Sequence, residues 1–536
     1  MWSRHGQKIF WILLFLEASI IVINGAITPV SLGDESHHFR FAQNIYNTGK
    51  RVPFDPLYES GNPPGFFNND PPLWHFGLAF LWKITGGVYQ TSAQIYHILF
   101  FILLVWIAFI LAKEVTGNQE AGWFSAFIIA TIPTMVSFST LLYVDVPLTT
   151  FSILCLYFIV KKRYIEAGVA SALMYFTKLN SVFFFPGFLF LIFWNEKKNF
   201  LKIVKNMTFF ILPVLVICIP DFFWRNKNIP AQFNIIGKGT IFERFFERIS
   251  EGMWLRISER ISEPVSKQML EQISKQIPEQ ISRLQVTSPA KDIIVKEYSS
   301  SNLTNPIDLI KYLGLVFLFL LLFHIFRFRR WERKDLSLWV PVISYLILFL
   351  IFFGVRSDLR YLVPILPFLA VLITPSFLSL RRSWRWVLIG VCILQFASTS
   401  FYVHQKRQLS PGIKEAFEYI RNNVPKDALI LYPEENLLIY AQRRVIWSAV
   451  KVARSGPVYS LRTIFWGHTE EMNHALRINK IDHILIKKSR IYDDRGGVHF
   501  GGYPQSFVEK LPHLDGWVKI FENPGVELWK NTLAVD

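Results

Sequence analysis

The sequence predicts a mainly α, polytopic membrane bundle that carries a small α/β domain at its C-terminal end. Three observations lead there. Of 536 residues, 51% are hydrophobic and only 18% charged, with a mean hydropathy of +0.30. The apolar residues gather in long runs such as FILLVWIAFILA at 101 to 112. After about residue 405 the runs stop, and short apolar stretches alternate with amphipathic ones. This balance excludes a disordered or fibrous chain. The three cysteines, Cys155, Cys218 and Cys392, lie singly inside apolar runs, so neither a disulfide framework nor a zinc site is expected.

A spanning helix needs about 20 mostly apolar residues. Candidate spans cover 10–30, 94–112, 120–138, 146–160, 163–177, 180–194, 204–221, 307–326, 337–354, 361–380 and 385–401, about eleven in all. The first contains Glu17 and lacks a small-residue cleavage site, so it reads as an anchor. Basic residues fall on alternate connections: Arg4 and Lys8, Lys113, Lys161 to Arg163, Lys197 to Lys205, Arg327 to Lys334, and Arg381 to Arg385. The positive-inside rule then places the N-terminus in the cytoplasm, provided that residues 72–92 lie along the outer surface and do not span. Much of the net charge of +17 is thereby topological, and nucleic acid is not an expected partner.

The division into domains rests on the same pattern. Residues 1–404 form the membrane domain, with an outer loop at 31–93 and an outer amphipathic, interface-lying loop at 224–306 that Pro264 and Pro278 interrupt. Residues 405–536 form an extracytoplasmic α/β domain: helices at 412–422 and 470–478, strands at 428–432 and 482–487, and a closing hairpin at 517–530. Its Gly496, Gly497, Gly501 and Gly502 do not follow a strand as a phosphate-binding fingerprint would.

Ionisable groups at the end of a span point to function. Asp34 and Glu35 stand where the chain leaves the first span, and Phe39, Ala42, Ile45 and Tyr46 recur at helical spacing behind them. A helix lying flat on the membrane is therefore expected, with Asp34 as its base or its N-cap. Partial dehydration there is expected to raise the carboxylate pKa. His37, His38 and His75 could join Asp34 around a divalent metal; without ligand spacing they read first as surface residues, and no metal ligand is assigned. Lys178 and Arg360 read as phosphate contacts or as snorkelling anchors, Asp221 with Arg225 as a helix-end pair, and Trp74 and Trp224 as interfacial belt residues or sugar platforms.

Taken together, Asp34-Glu35 with His38, Asp70-Pro71-Pro72-Leu73-Trp74, Tyr143-Val144-Asp145-Val146-Pro147-Leu148, Thr177-Lys178, and Arg360-Tyr361 with Pro364 and Pro367 form an ordered set. This set resembles the protein O-mannosyltransferase and lipid A aminoarabinose transferase group of GT-C glycosyltransferases. The resemblance implies transfer of a sugar from a polyprenyl-phosphate carrier to an acceptor hydroxyl, a lipid, polysaccharide or protein, on the non-cytoplasmic face of the cell (inner) membrane, with inversion. It implies Asp34, Asp145 and Glu35 as catalytic candidates, Lys178, Arg360, Arg356 and Arg225 as donor-phosphate contacts, and His38, Trp74 and His75 in the acceptor loop. One departure is Asp70, where the family often has a basic residue. A transporter or flippase of lipid-linked saccharides, and a non-catalytic scaffold or sensor, are the alternatives; charges gathered at one face and the lack of a visible repeat argue against the former.

Overall fold

The computed structural model describes residues 4–30, 34–55, 57–59, 66–67, 71–197, 199–228, 313–327, 333–353, 359–408, 412–432, 436–446, 464–465, 468–492 and 503–533. The loop expected at 224–306, apart from its first residues, and the glycines at 496 to 502 lie outside these, as do Asp70 and Arg356.

The bundle helices are α1 (Arg4–Ile27), α2 (Asp34–Thr48), α3 (Leu73–Thr85), α4 (Gln90–Thr116), α5 (Gln119–Thr131), α6 (Pro133–Thr140), α7 (Asp145–Val160) and α8 (Tyr164–Thr177). They continue as α9 (Phe185–Glu196), α10 (Phe200–Asn228), α11 (Leu315–Arg327), α12 (Arg333–Phe353), α13 (Leu366–Leu378) and α14 (Arg382–Arg407). Two 3-10 turns, Leu179–Phe184 and Leu359–Ile365, lead into α9 and α13. Among the described residues, six helices are long and apolar enough to cross a membrane, or seven if α5 and α6, bent by 61°, make one span. Three apolar helices are shorter, so the expected count of about eleven is not established, although every expected span coincides with a helix.

Long apolar runs produce helices that are buried nearly all round, as α5 and α7 are. Small residues bring them close: a Cβ at Gly168 would sit 2.3 Å from the Phe210 carbonyl oxygen, so α8 and α10 touch backbone to backbone there. Within residues 72–92, α3 is shorter than a membrane crossing needs. Gly86, at φ +76°, ends α3 after 13 residues in a left-handed cap. The α3 side chains Trp74, Leu78 and Trp82 pack on Phe39 and Ala42 of α2, the spacing that the sequence showed.

The C-terminal residues build a six-stranded sheet. In spatial order its strands are Tyr58–Glu59, Arg444–Ile446, Leu429–Leu431, His483–Lys487, Val526–Asn531 and Trp517–Glu522. The first four are parallel and the last two antiparallel. Alternation along the strands feeds two cores, one with Leu429, Leu431, Ile484 and Ile486 and the other with Ile430, Val445, Leu485 and Leu528. Helices α15 (Ile413–Asn423) and α16 (Asn436–Tyr440) fill the second core, and α17 (Thr469–Ile478) fills the first. One strand comes from the loop after α2, which hydropathy could not foresee. Residues 1–221 and 300–536 fall in one compact unit.

Candidate active site

The site is assembled where α2, the start of α7, the end of α8 and the 3-10 turn before α13 meet. Asp34 opens α2, where the positive end of the helix dipole favours a carboxylate. Its Oδ2 accepts a charged hydrogen bond from Arg360 Nη1. The Asp34 side chain keeps 48% of its exposure. Burial of the remainder pushes its pKa upward, but the charges of Arg360, His38, Lys178 and His37 outweigh it and hold the carboxyl below its usual value. Dehydration alone gives the rise that the sequence led us to expect; the cation beside the carboxylate reverses it.

Asp145, the first residue of α7, is wholly buried, and Lys178 Nζ donates to both of its oxygens at 2.8 and 2.9 Å. With both oxygens engaged, Asp145 holds Lys178 in place. Lys178 caps α8, and its ammonium lies 5.3 Å from the centre of the Tyr361 ring; the Arg360 guanidinium lies 5.1 Å from the same ring. The two cations are neighbours across one aromatic ring, although 182 positions of sequence separate them. Tyr361 is held in turn: Tyr345 Oη donates to its carbonyl at 2.9 Å and accepts from Asn180 Nδ2 at 3.0 Å.

Glu35 is fully buried. Arg407 Nη2, from the last turn of α14, donates to its Oε1 at 2.6 Å, and the Leu142 backbone N–H adds a bond at 3.3 Å. A carboxylate sealed in this way ties the start of α2 to the end of α14. His38 and His75 are also buried, with His38 Nδ1 and His75 Nε2 at 3.1 Å, and Trp74 is 1% exposed beside them. These three are buried and pack α2 against α3, so exposed surface or membrane-belt positions do not describe them. Among the described residues no group of three or more His, Cys, Asp or Glu side chains could hold a metal ion.

Asp221 accepts from Arg51 Nη1 at 2.5 Å and from Tyr175 Oη at 3.1 Å. Arg225 lies one turn further along α10 and is buried. The side chains around the site that sequence reading did not single out are Arg407 and Tyr345, and Arg51 in the neighbouring cluster. Arg407 did leave a signal: with His404 and Lys406 it makes a basic cluster at the end of the last span, opposite the end that carries Arg381, Arg382 and Arg385.

These helices, several of them long and apolar enough to cross a membrane, and the small C-terminal sheet define a polytopic helical membrane protein. Residues 69–224 match the family model described as dolichyl-phosphate-mannose-protein mannosyltransferase. A search of curated proteins gives no significant match. Among solved structures, the chain is similar to ArnT from Cupriavidus metallidurans bound to undecaprenyl phosphate, with TM-score 0.61, 11% identity and coverage of 99% of each chain. It is also similar to the oligosaccharyltransferase AglB from Archaeoglobus fulgidus, in complex with an inhibitory peptide and a dolichol-phosphate, with TM-score 0.59 and 12% identity over 90% of this chain and 70% of that one. The resemblance read from the motifs is thus borne out by the fold and by the family match.

Proposed function

We propose that the chain is an integral-membrane glycosyltransferase that moves a sugar from a polyprenyl-phosphate carrier to an acceptor hydroxyl, with inversion, on the non-cytoplasmic face of the cell membrane. The observation that carries this reading is the contact of Asp34 with Arg360, with the Lys178–Asp145 pair beside the same Tyr361 ring. One candidate base and two cations stand together where α2 meets the bundle. The polyprenyl phosphates held by the two similar structures support a donor of that class. The alternation of basic loops supports a cytoplasmic N-terminus, with Asp34 and the C-terminal sheet on the other side. No structural observation favours the transporter or the scaffold.

In the reaction, the acceptor oxygen attacks the anomeric carbon while the bond from that carbon to the phosphate oxygen breaks. The hydroxyl proton goes to Asp34, and the electron pair of the broken bond leaves with the lipid phosphate, where Arg360 meets the growing charge. Lys178 adds field from beside the ring, tempered by Asp145, and Arg225 and Arg356 are further candidates for the phosphate. The arriving phosphate competes for Arg360. As that guanidinium turns to the new anion, its hold on Asp34 weakens, and the partly buried carboxylate becomes a stronger base when the donor is in place.

The test is Asp34→Asn, which keeps the shape but not the basic carboxylate. Transfer should fall about 10²- to 10⁴-fold while donor binding is largely retained. The donor is the pool of polyprenyl-phosphate sugars that mass spectrometry finds accumulating in a strain lacking the protein. Normal turnover of the Asn variant refutes the base assignment.

A further inference from the structure

Asp34 is bracketed by anchors that come from the far end of the chain. On one side the backbone N–H of Val30 donates to Tyr440 Oη at 2.8 Å. On the other, Glu35 accepts from Arg407 at 2.6 Å, with both side chains at 0% exposure, and Arg407 Nη1 reaches the Thr140 carbonyl at 3.4 Å. Between them Ile439, the neighbour of Tyr440 on α16, packs into the apolar cluster of Val30, Phe39, Trp74 and Leu142 that seats α2. Further along the same loop, Tyr58–Glu59 is the outermost parallel strand of the C-terminal sheet, paired with Arg444–Ile446. Burial pushes the Tyr440 phenol up to about 12, so it stays neutral at any working pH.

These four attachments are of different kinds: a backbone hydrogen bond, a buried ion pair, an apolar contact and a strand pairing. All of them join the segment carrying Asp34 to Arg407 or to the C-terminal sheet and its helices. A side chain in the first turn of a helix takes its position from the helix axis; the Val30, Glu35 and Ile439 contacts hold that axis near the end where Asp34 stands, and the strand pairing holds the chain beyond its other end. Displacement of a reacting group by about 1 Å is worth about 10²-fold in rate.

We propose that the C-terminal sheet and the end of α14 act as a clamp that places α2, with Arg407 and Tyr440 as positioning residues for the Asp34 carboxylate. The proposal rests on the reading of Asp34 as the base. It assigns the C-terminal region a part in the chemistry of the bundle and not only that of an appended module.

Tyr440→Phe tests it, because the ring and its packing stay and only the oxygen that accepts from Val30 is lost. With the polyprenyl-phosphate sugar pool extracted from a strain lacking the protein as donor, kcat should fall about fivefold to tenfold, the loss of one hydrogen bond's worth of positioning, while donor KM stays unchanged. Arg407→Lys, which keeps the charge but loses the second arm to Thr140, should show the same split. In an Asp34→Asn background neither change should lower the residual rate further, because both act through Asp34. Independently of turnover, amide hydrogen exchange over residues 34–40 should quicken in Tyr440→Phe, with α4 and α7 unaltered. A Tyr440→Phe protein with unchanged kcat and unchanged exchange, beside an inactive Asp34→Asn, overturns the clamp and leaves the base intact. Losses that add in the double variant also overturn it, since they show a general structural effect. Full activity in Asp34→Asn alone overturns the underlying base assignment, and the two failures are therefore told apart.

Discussion

Lys178→Ala is the change in which donor binding and stability are most entangled, and the structure separates them. Lys178 gives two charge-assisted hydrogen bonds, at 2.8 and 2.9 Å, to a carboxylate whose side chain is 0% exposed, and it is itself 15% exposed. Removing the ammonium leaves Asp145 charged and buried, which should cost about 3–5 kcal/mol, the usual figure for breaking one side of such a pair. Removing Asp145 as well relieves the stranded charge, so Lys178→Ala with Asp145→Ala should recover about 2–3 kcal/mol of that loss. The measurement is the unfolding midpoint of the purified protein in one detergent at one scan rate, compared across both single variants and the double variant. Transfer kinetics on the same four proteins then isolate the donor effect: the double variant should be stable but should still show a raised donor KM or a lowered kcat. An unchanged midpoint in Lys178→Ala, or no recovery in the double variant, would refute the argument that the pair is a buried structural unit.

Other contacts lead to further predictions. Because the Asp34 pKa is held below its ordinary value, the carboxylate stays charged through neutral and mildly acidic pH; the acid limb of kcat/KM for free enzyme should fall below pH ~4, the ordinary aspartate value. By the same sign, the stabilising contact with Arg360 is fully present above that value and is lost as pH falls through the lowered pKa; in Arg360→Gln the acid limb should move upward. Arg51→Ala would be nearly silent if Arg51 were a loop residue remote from the spans, but it pairs with Asp221 at 2.5 Å, with side-chain exposures of 7% and 1%. We expect a loss of about 3–5 kcal/mol, read as a lowered unfolding midpoint. An impermeant thiol reagent applied to single-cysteine variants of intact cells should label the exposed positions 50 and 427 from outside, and labelling of either only after lysis would reverse the assigned orientation.

Much of the fold was legible because hydropathy is a local property. Whether a stretch such as 101 to 112 leaves water depends on its own side chains, and helices therefore appear where the runs are. The strands at Leu429–Leu431 and His483–Lys487 were legible for a related reason, since a parallel strand covered on both faces is apolar at nearly every position. The charged residues near the mouth were legible as single residues: Asp34, Asp145, Lys178 and Arg360 each stand out at the end of a helix or turn. What each of them does was not, because it depends on its partner, and the partners are remote. Asp34 meets Arg360 across 326 positions and Glu35 meets Arg407 across 372. No local pattern fixes such pairs; the order of helices around the bundle does, by bringing the ends of α2, α8 and α14 to one place. The same packing turned the expected rise in the Asp34 pKa into a fall, made Glu35 and Asp145 buried partners of remote cations, and drew Tyr58–Glu59 into a sheet whose other strands begin more than 350 residues later. The sequence by itself determined which segments are apolar and which side chains carry charge. Tertiary structure decided which charges cancel, because the energy of an ion depends on what stands within a few ångströms of it and not on its neighbours along the chain.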